Sequence, residues 1–176
     1  MLNARCACGV PGAVAVLLLT AVVAAQTPDF SGTWNLDTKR STAVGGGRGS
    51  GTGAGGGRGG GLGLGPPPDR LTITQNAATL TVEARVAGST RKTVYALDGR
   101  TTTNPLAAGR NGGAAASSTA HWDQARLVVS IAVPNRSGGS NPVEYQEVWS
   151  LDAGGSLIVE TTMVGAPNVR RSVYKK

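Results

Sequence analysis

From Arg70 to the end of the chain, apolar and polar residues alternate with a period of two. The alternation is clearest in Leu71-Thr-Ile73-Thr and in Leu80-Thr-Val82-Glu-Ala84-Arg-Val86. Such alternation places successive side chains on opposite faces of a half-buried strand. No segment after the first 25 residues shows the sustained apolar period of about 3.6 residues that an amphipathic helix requires. The sequence therefore predicts an all-β chain.

Turn residues such as Asp98-Gly99 divide the alternating sequence into short strands. We expect a loop at 104–113. The predicted strands are 30–37, 71–74, 80–86, 91–97, 115–123, 126–133, 143–151, 156–164 and 168–175. Many short strands at roughly ten-residue spacing favour an antiparallel up-and-down β-barrel of about 8–9 strands, with a sandwich or open barrel as the alternative.

The first 25 residues have the pattern of a secretory signal peptide. Arg5 precedes an apolar run from Val10 to Val23, and small residues lead to Gln26. The run is shorter than the roughly 20 residues that a membrane-spanning helix needs. We expect a cleaved leader over 1–25, a single domain over 26–176, no membrane span, and a secreted or periplasmic location.

Residues 41–69 separate the opening strand from the alternating region. Fourteen of the 21 residues from Gly45 to Gly65 are glycine, and Pro66-Pro67-Pro68 follows. Glycine loses the most backbone entropy on ordering and has no side chain to bury. The composition predicts a long disordered, flexible loop that lies near one mouth of the barrel.

Few residues suited to catalysis or metal binding are present. Both cysteines, Cys6 and Cys8, lie in the predicted leader, and His121 is the only histidine. Its alternation with Trp122 places His121 on the outer face. We therefore predict no metal site, no cofactor and no enzymatic activity.

The glycine-rich segment contains two motifs of other functional classes. Residues 51–56 fit Gly-x-Gly-x-x-Gly, but no helix follows as a dinucleotide site requires. Arg48 and Arg58 lie among glycines without interleaved aromatic residues, so we predict no nucleic-acid partner. The net charge of +7 indicates an attraction to anions but no particular partner.

The bulkier face of each strand identifies the residues that point inward. In 143–151 the bulky face carries Tyr145, Glu147 and Trp149, and in the last strand we assign Val169, Arg171 and Val173 to the interior. Tight hairpins place Glu147 and Arg171 two strands apart, roughly 9.5 Å across the sheet. We predict an interior Glu147–Arg171 pair, the alternative being that one of them lies in water at the rim.

Gly32-Thr33-Trp34 in the first strand and Arg170-Arg171 in the last resemble the lipocalin pattern of the calycin superfamily. The chain also resembles a largely uncharacterised group of short secreted bacterial proteins that are called lipocalin-like. The resemblance implies that Trp34 plugs the closed end of an up-and-down barrel. It also implies that Arg171 packs across the indole of Trp34, a cation over a ring face.

A barrel of this size can hold one small molecule. The candidate cavity residues are Trp34, Tyr95, Trp122, Tyr145 and Trp149, and many inward positions carry small side chains, namely Ala84, Ala116, Ser118 and Ala120. We therefore expect a barrel that binds a small apolar or amphiphilic ligand. The alternative is a structural or protein-interaction domain with a filled core. An outer-membrane barrel is disfavoured because the outward faces are polar and lack aromatic girdles.

Overall fold

The computed structural model describes residues 27–42, 66–86, 88–106, 115–135 and 141–176, and these ranges form one antiparallel sheet. The strands are β1 (Gly32–Leu36), β2 (Arg70–Gln75), β3 (Thr79–Val86), β4 (Ser89–Ala96), β5 (Thr102–Pro105), β6 (Ala115–Asp123), β7 (Arg126–Val133), β8 (Val143–Leu151), β9 (Leu157–Met163) and β10 (Val169–Lys175).

The sheet curls into a nearly closed up-and-down barrel. Its order is β4-β3-β2-β1-β10-β9-β8-β7-β6-β5. Strands that follow one another in the chain pair, apart from β4 and β5, and β1 also pairs with β10. The β1–β10 register places Asn35 opposite Lys175 and Leu36 opposite Tyr174. The predicted antiparallel barrel is confirmed.

Strands β4 and β5 are the two edges of this sheet, and one side chain joins them. The amide oxygen of Asn104 accepts a hydrogen bond from the Val94 N–H at 2.8 Å, and its amide nitrogen donates to the Val94 carbonyl at 2.9 Å. A side-chain amide has the same donor and acceptor groups as a peptide unit. Asn104 therefore replaces one step of the missing backbone ladder.

The predicted number of strands was wrong, because the described residues alone form ten strands rather than 8–9. The additional strand is β5, which overlaps the loop predicted at 104–113. Its sequence, Thr-Thr-Asn-Pro, has no apolar alternation, and it pairs with β6 over only four residues. A short polar strand of this kind carries no periodic signal.

The barrel has two different ends. The connections β2–β3, β4–β5, β6–β7 and β8–β9 lie at one end, which we call the base, and the other five connections lie at the end we call the mouth. Residues before β1 cross the base. There the Phe30 N–H donates to Gln75 Oε1 at 3.0 Å, and Gln75 Nε2 donates to the Pro28 carbonyl at 2.9 Å.

The predicted leader 1–25 and residues 43–65 of the predicted loop lie outside the described residues. The described ends of that loop are attached to the barrel, since Thr42 bridges Arg171 and the Asp69 N–H donates to the Arg85 carbonyl at 3.0 Å. The described ranges contain no helix with the length and apolar character that crossing a bilayer requires.

Candidate functional site: the barrel interior

The interior changes in character from base to mouth. At the base, Phe30, Leu80, Leu127 and Leu157 are each 0% exposed. Toward the mouth, inward-facing side chains retain partial exposure to solvent, and these are Arg91, Ile131, Glu147, Met163 and Arg170. The base is therefore packed, whereas solvent reaches the interior nearer the mouth.

Aromatic rings fill the base. The ring of Phe30 stacks on Trp122 with centroids 5.7 Å apart and lies 6.3 Å from the ring of Trp149. Tyr95 of β4 meets Trp149 of β8 edge-to-face at 6.4 Å, so the contact spans the barrel. Offset and edge-to-face pairs of this kind are the favourable geometries for aromatic rings.

Trp34 is 1% exposed, and its indole N–H donates to the Phe30 carbonyl at 2.8 Å. The cation over its ring is Lys176, whose Nζ lies 4.9 Å from the ring centroid. The implied cover by Arg171 was therefore wrong. The final residue of the chain reaches Trp34 because β1 and β10 are neighbours.

Arg171 points to the outer face of β10, and its Nε lies 3.6 Å from Glu160 Oε1. The inward face of β10 instead carries Arg170, Ser172 and Tyr174, and Tyr174 belongs to the buried core. The predicted interior Glu147–Arg171 pair was therefore wrong by one residue along β10. The strand register explains why Arg170, rather than Arg171, is level with Glu147. Glu147 lies opposite Thr161, and Thr161 lies opposite Arg170.

Arg91, Glu147 and Arg170 form what we call the polar cluster. Arg91 comes from β4, across the barrel from the other two, and Glu147 accepts a hydrogen bond from Trp149 Nε1 at 3.0 Å. The charges of both arginines act on Glu147. The polar cluster thus adjoins the aromatic wall that Trp149 and Tyr95 form.

Burial dominates the electrostatics of this region. It raises the pKa of Glu147, and the Trp149 hydrogen bond, Arg170 and Arg91 only partly oppose the rise. Burial also raises the pKa of Tyr95 and of Tyr174, and the Glu147 carboxylate adds to both increases. The two phenols therefore stay neutral at physiological pH.

Arg91 is an interior residue that was not predicted from the sequence. Its Nε is buried and has no hydrogen-bond partner among the described residues. A buried donor left unsatisfied costs free energy, so this atom marks a place where an acceptor would be stabilised. The period-two pattern Arg91-x-Thr93-x-Tyr95-x-Leu97 would have placed Arg91 on the face of the buried Tyr95 and Leu97.

The five predicted cavity residues lie in or against the interior. Trp34, Tyr95 and Trp149 belong to the buried core, Trp122 packs against it, and Tyr145 is 5% exposed near the mouth. The predicted small inward residues are also buried, and these are Ala84, Ala116, Ser118 and Ala120. Whether they contact a ligand stays a prediction. His121 is exposed, as the alternation predicted.

An open groove of about 230 Å³ lies along β6, β7 and β8. Its lining includes the outward Ser117, Thr119, Ser130 and Ala132 and also the inward Ser118, Ile131 and Tyr145. Within the described part of the chain, no group of three or more His, Cys, Asp or Glu residues could hold a metal ion.

The strand order and near closure define an antiparallel up-and-down barrel. Among solved structures, human cRBP IV is similar with a TM-score of 0.54 and 17% identity, over 85% of this chain and 98% of that chain. The REP1-NXSQ fatty acid transporter is similar with a TM-score of 0.45 and 11% identity, over 61% of this chain and 68% of that chain. No protein-family model matches the chain, and no curated protein matches it.

Proposed function

We propose that this protein is a secreted or periplasmic barrel that binds a small apolar or amphiphilic ligand in its interior. The observation that carries the proposal is the change along the barrel axis, from fully buried side chains at the base to solvent-accessible inward side chains near the mouth. Such an interior fits a ligand whose apolar part contacts aromatic rings and whose polar end meets a few placed polar groups.

The polar cluster supports this proposal independently of the fold. Two arginines and a glutamate inside a barrel lose solvation, and apolar side chains of similar volume are often at least as stabilising. Their presence near Trp149 and Tyr95 is therefore better explained by a ligand than by folding alone. Because the cluster offers one carboxyl and two guanidinium groups, we propose binding rather than catalysis.

The alternative is a filled core without a ligand, and the aromatic contacts at the base favour a filled core in that part of the barrel. A ligand-binding interior and a filled core differ in how they respond to a larger side chain in the interior. Ala120 is 1% exposed and points inward beside Val129, whereas the adjacent His121 is exposed on the outer face. This pair offers an interior variant and a matched exterior control.

The experiment is a tryptophan-fluorescence titration with a panel of fatty acids and isoprenoids, using wild type, Ala120→Leu and His121→Leu. We expect saturable binding by wild type and His121→Leu, and weaker binding by Ala120→Leu with its melting temperature retained. If no panel member binds and Ala120→Leu loses about 1–3 kcal/mol of stability, as an overpacked core does, the filled core is correct. Native mass spectrometry of protein from its own host would reveal a retained ligand directly.

The location is proposed from the leader-like residues 1–25 alone. Expression of the full chain in a Gram-negative host should yield an exported protein whose first residue is near Gln26, measured by N-terminal sequencing of the periplasmic fraction. A chain that stays in the cytoplasm with residues 1–25 intact would contradict the location without affecting the proposed ligand site.

A further inference from the structure

The polar cluster contains an excess of positive charge. It comprises the guanidinium groups of Arg91 and Arg170 and the single carboxyl of Glu147, and all three face the interior. Charges removed from water are stabilised only by partners and hydrogen bonds. A negative charge beside Arg91, which lies across the barrel from the other two groups, would stabilise its guanidinium group.

The cluster also has an unused hydrogen-bond donor. Glu147 already accepts from Trp149 Nε1, but the buried Nε of Arg91 has no acceptor among the described residues. A guanidinium group presents a fork of N–H donors that matches a planar or tetrahedral anion. An anionic group beside Arg91 would therefore gain both charge balance and hydrogen bonds.

We infer that the polar cluster holds the headgroup of the ligand, that this headgroup carries one negative charge, and that Glu147 weakens its binding through repulsion. The inference rests on the proposed function and deepens it by naming the ligand class, a monoanionic amphiphile. Its apolar part lies along Trp149 and Tyr95, which adjoin the cluster. Glu147 is thus a specificity-determining residue rather than a direct partner of the anion.

This role of Glu147 makes anion binding depend on pH. The groups that face Glu147 are Arg91 and Tyr95 on β4, Arg170 and Tyr174 on β10, and Trp149 on its own strand. Burial raises the pKa of the Glu147 carboxyl above its usual value, and it keeps both phenols neutral. Protonation of Glu147 removes the repulsion, so affinity for an anion increases as the pH falls.

A matched pair of fluorescent probes tests the inference. 1-Anilinonaphthalene-8-sulfonate carries a sulfonate that stays ionised throughout the pH range of the test, and N-phenyl-1-naphthylamine has the same aromatic skeleton without the charge. We expect wild-type protein to bind the sulfonate more tightly than the neutral probe, with a preference that grows from pH 8 to pH 5. Arg91→Met should weaken sulfonate binding about tenfold and leave the neutral probe unaffected.

Glu147→Gln provides the second variant, because it keeps the shape of the side chain and removes its charge. We expect it to strengthen sulfonate binding at pH 8 and to abolish the pH dependence, with little effect on the neutral probe. Arg100→Met is the control: Arg100 is an exposed arginine that pairs with Asp98, and its loss should change neither affinity. Should Arg91→Met lose its near-ultraviolet circular dichroism, Arg91→Lys retains the charge and should bind the sulfonate with intermediate affinity.

The outcomes separate the inference from the proposed function. If wild type binds both probes equally and neither Arg91→Met nor Glu147→Gln alters their ratio, the inference is overturned while an interior binding site stands. If neither probe binds in a saturable way, the proposed function itself is overturned. A sulfonate affinity that falls with Glu147→Gln would also overturn the inference, because it would make Glu147 a supporting partner of the anion.

Discussion

Gly32 shows how a single residue permits the contact between the two ends of the described chain. Its φ is +132°, and a Cβ at this position would lie 3.1 Å from Cε of Lys176, the lysine that covers Trp34. The backbone conformation is one that residues with a side chain rarely adopt. The motif requires glycine at this position mainly because of the backbone conformation, and to a lesser extent because Lys176 lies so close.

We predict that Gly32→Ala lowers the free energy of unfolding by roughly 1–3 kcal/mol, the cost of a strained backbone conformation. Urea denaturation of wild type and variant measures the loss. Gly154→Ala is the matched control, since its φ is not in the left-handed region and its Cβ would have only an ordinary contact at 3.4 Å. Combining Gly32→Ala with Lys176→Ala should retain most of the loss. Full recovery would mean that the lysine contact, rather than the backbone, requires glycine.

Glu147 should also affect stability, through its raised pKa. A carboxyl whose pKa is higher in the folded state binds protons more strongly when folded, so stability rises as the pH falls through the folded pKa toward the usual value of 4.5. Hydrogen bonds lower the pKa values of Asp37, Asp98 and Asp152, so these carboxylates make the protein less stable as the pH falls, but only below their usual pKa of 3.8. The pH range in which Glu147 changes stability lies above 4.5 and does not overlap with theirs.

We therefore predict that wild type gains stability on acidification from neutral pH to about pH 5, and that Glu147→Gln removes this gain. The variant should be the more stable protein at pH 7, since it resembles the protonated carboxyl. Urea denaturation at a series of pH values measures the difference. A wild-type stability that stays flat while Glu147→Gln is less stable at every pH would show that Glu147 contributes as a charged partner of the arginines.

The last strand shows why residue-level prediction from the sequence partly failed. Bulk favoured Val169, Arg171 and Val173 as the inward face, yet Tyr174 is in the core and Val169 is 48% exposed. Val173 is 0% exposed even though it lies on the outer face, and the segment after β1 runs beside it: the Asp37 N–H donates to its carbonyl and the Ser41 hydroxyl accepts from its N–H. Both faces of β10 are therefore buried at Val173 and Tyr174, where bulk gives no usable alternation.

At the scale of elements, the alternating pattern predicted strand positions well wherever a strand separates a core from solvent. Strands β6, β7 and β8 have the predicted bounds, β9 is one residue shorter at each end, and β10 starts one residue later. The pattern failed at β5, where pairing depends on a side chain from a polar strand. The fold class was thus predictable from the sequence, but the seam of the barrel was not.

Asn104 should determine whether the seam between β4 and β5 stays closed. We predict that Asn104→Ala lowers the free energy of unfolding by about 1–3 kcal/mol, because both the N–H and the carbonyl of Val94 lose their partner. The Val94 amide should also exchange its hydrogen faster. Hydrogen exchange followed by nuclear magnetic resonance measures this directly, and Thr103→Ala on the exposed face of β5 is the control.

Asn104→Asp distinguishes hydrogen bonding from simple space filling. The aspartate has almost the same shape and can still accept from the Val94 N–H, but it cannot donate to the carbonyl and sets a charge beside it. We expect it to destabilise the seam at least as much as alanine does at neutral pH. A seam that stays protected in Asn104→Asp would show that shape, not donor and acceptor pairing, closes the barrel.

At the scale of the whole molecule, the polar cluster could not be predicted from the sequence. Arg91 and Arg170 lie on strands far apart in the chain, and they converge only because β1 pairs with β10 and the sheet curls on itself. The sequence did identify Glu147 and the aromatic wall, since both follow from the alternation within single strands. Predicting which arginine lies near Glu147 requires the strand register, and that register depends on every hairpin between the strands.

The same closure brings the two ends of the described chain to the base, where Lys176 lies against Gly32. If the barrel is a continuous ring of neighbours, the position of the chain ends should matter little. We predict that a circular permutant folds when Lys176 is joined to Thr27 through about six flexible residues, which span roughly 13 Å, and the chain is opened between Gln124 and Ala125. That point is an exposed two-residue turn at the base, away from the polar cluster and the mouth.

Thermal unfolding and probe binding measure the outcome, and a permutant opened between Val129 and Ser130 inside β7 is the control. We expect the first permutant to unfold cooperatively and to bind the neutral probe like wild type, whereas the second should not fold, since it divides a strand that pairs on both sides. If neither permutant folds, the β1–β10 contact must form last and must form between free chain ends. Folding of the first without probe binding would show that the residues crossing the base, Pro28 to Ser31, have to be free at one end to seal the aromatic wall beneath the ligand.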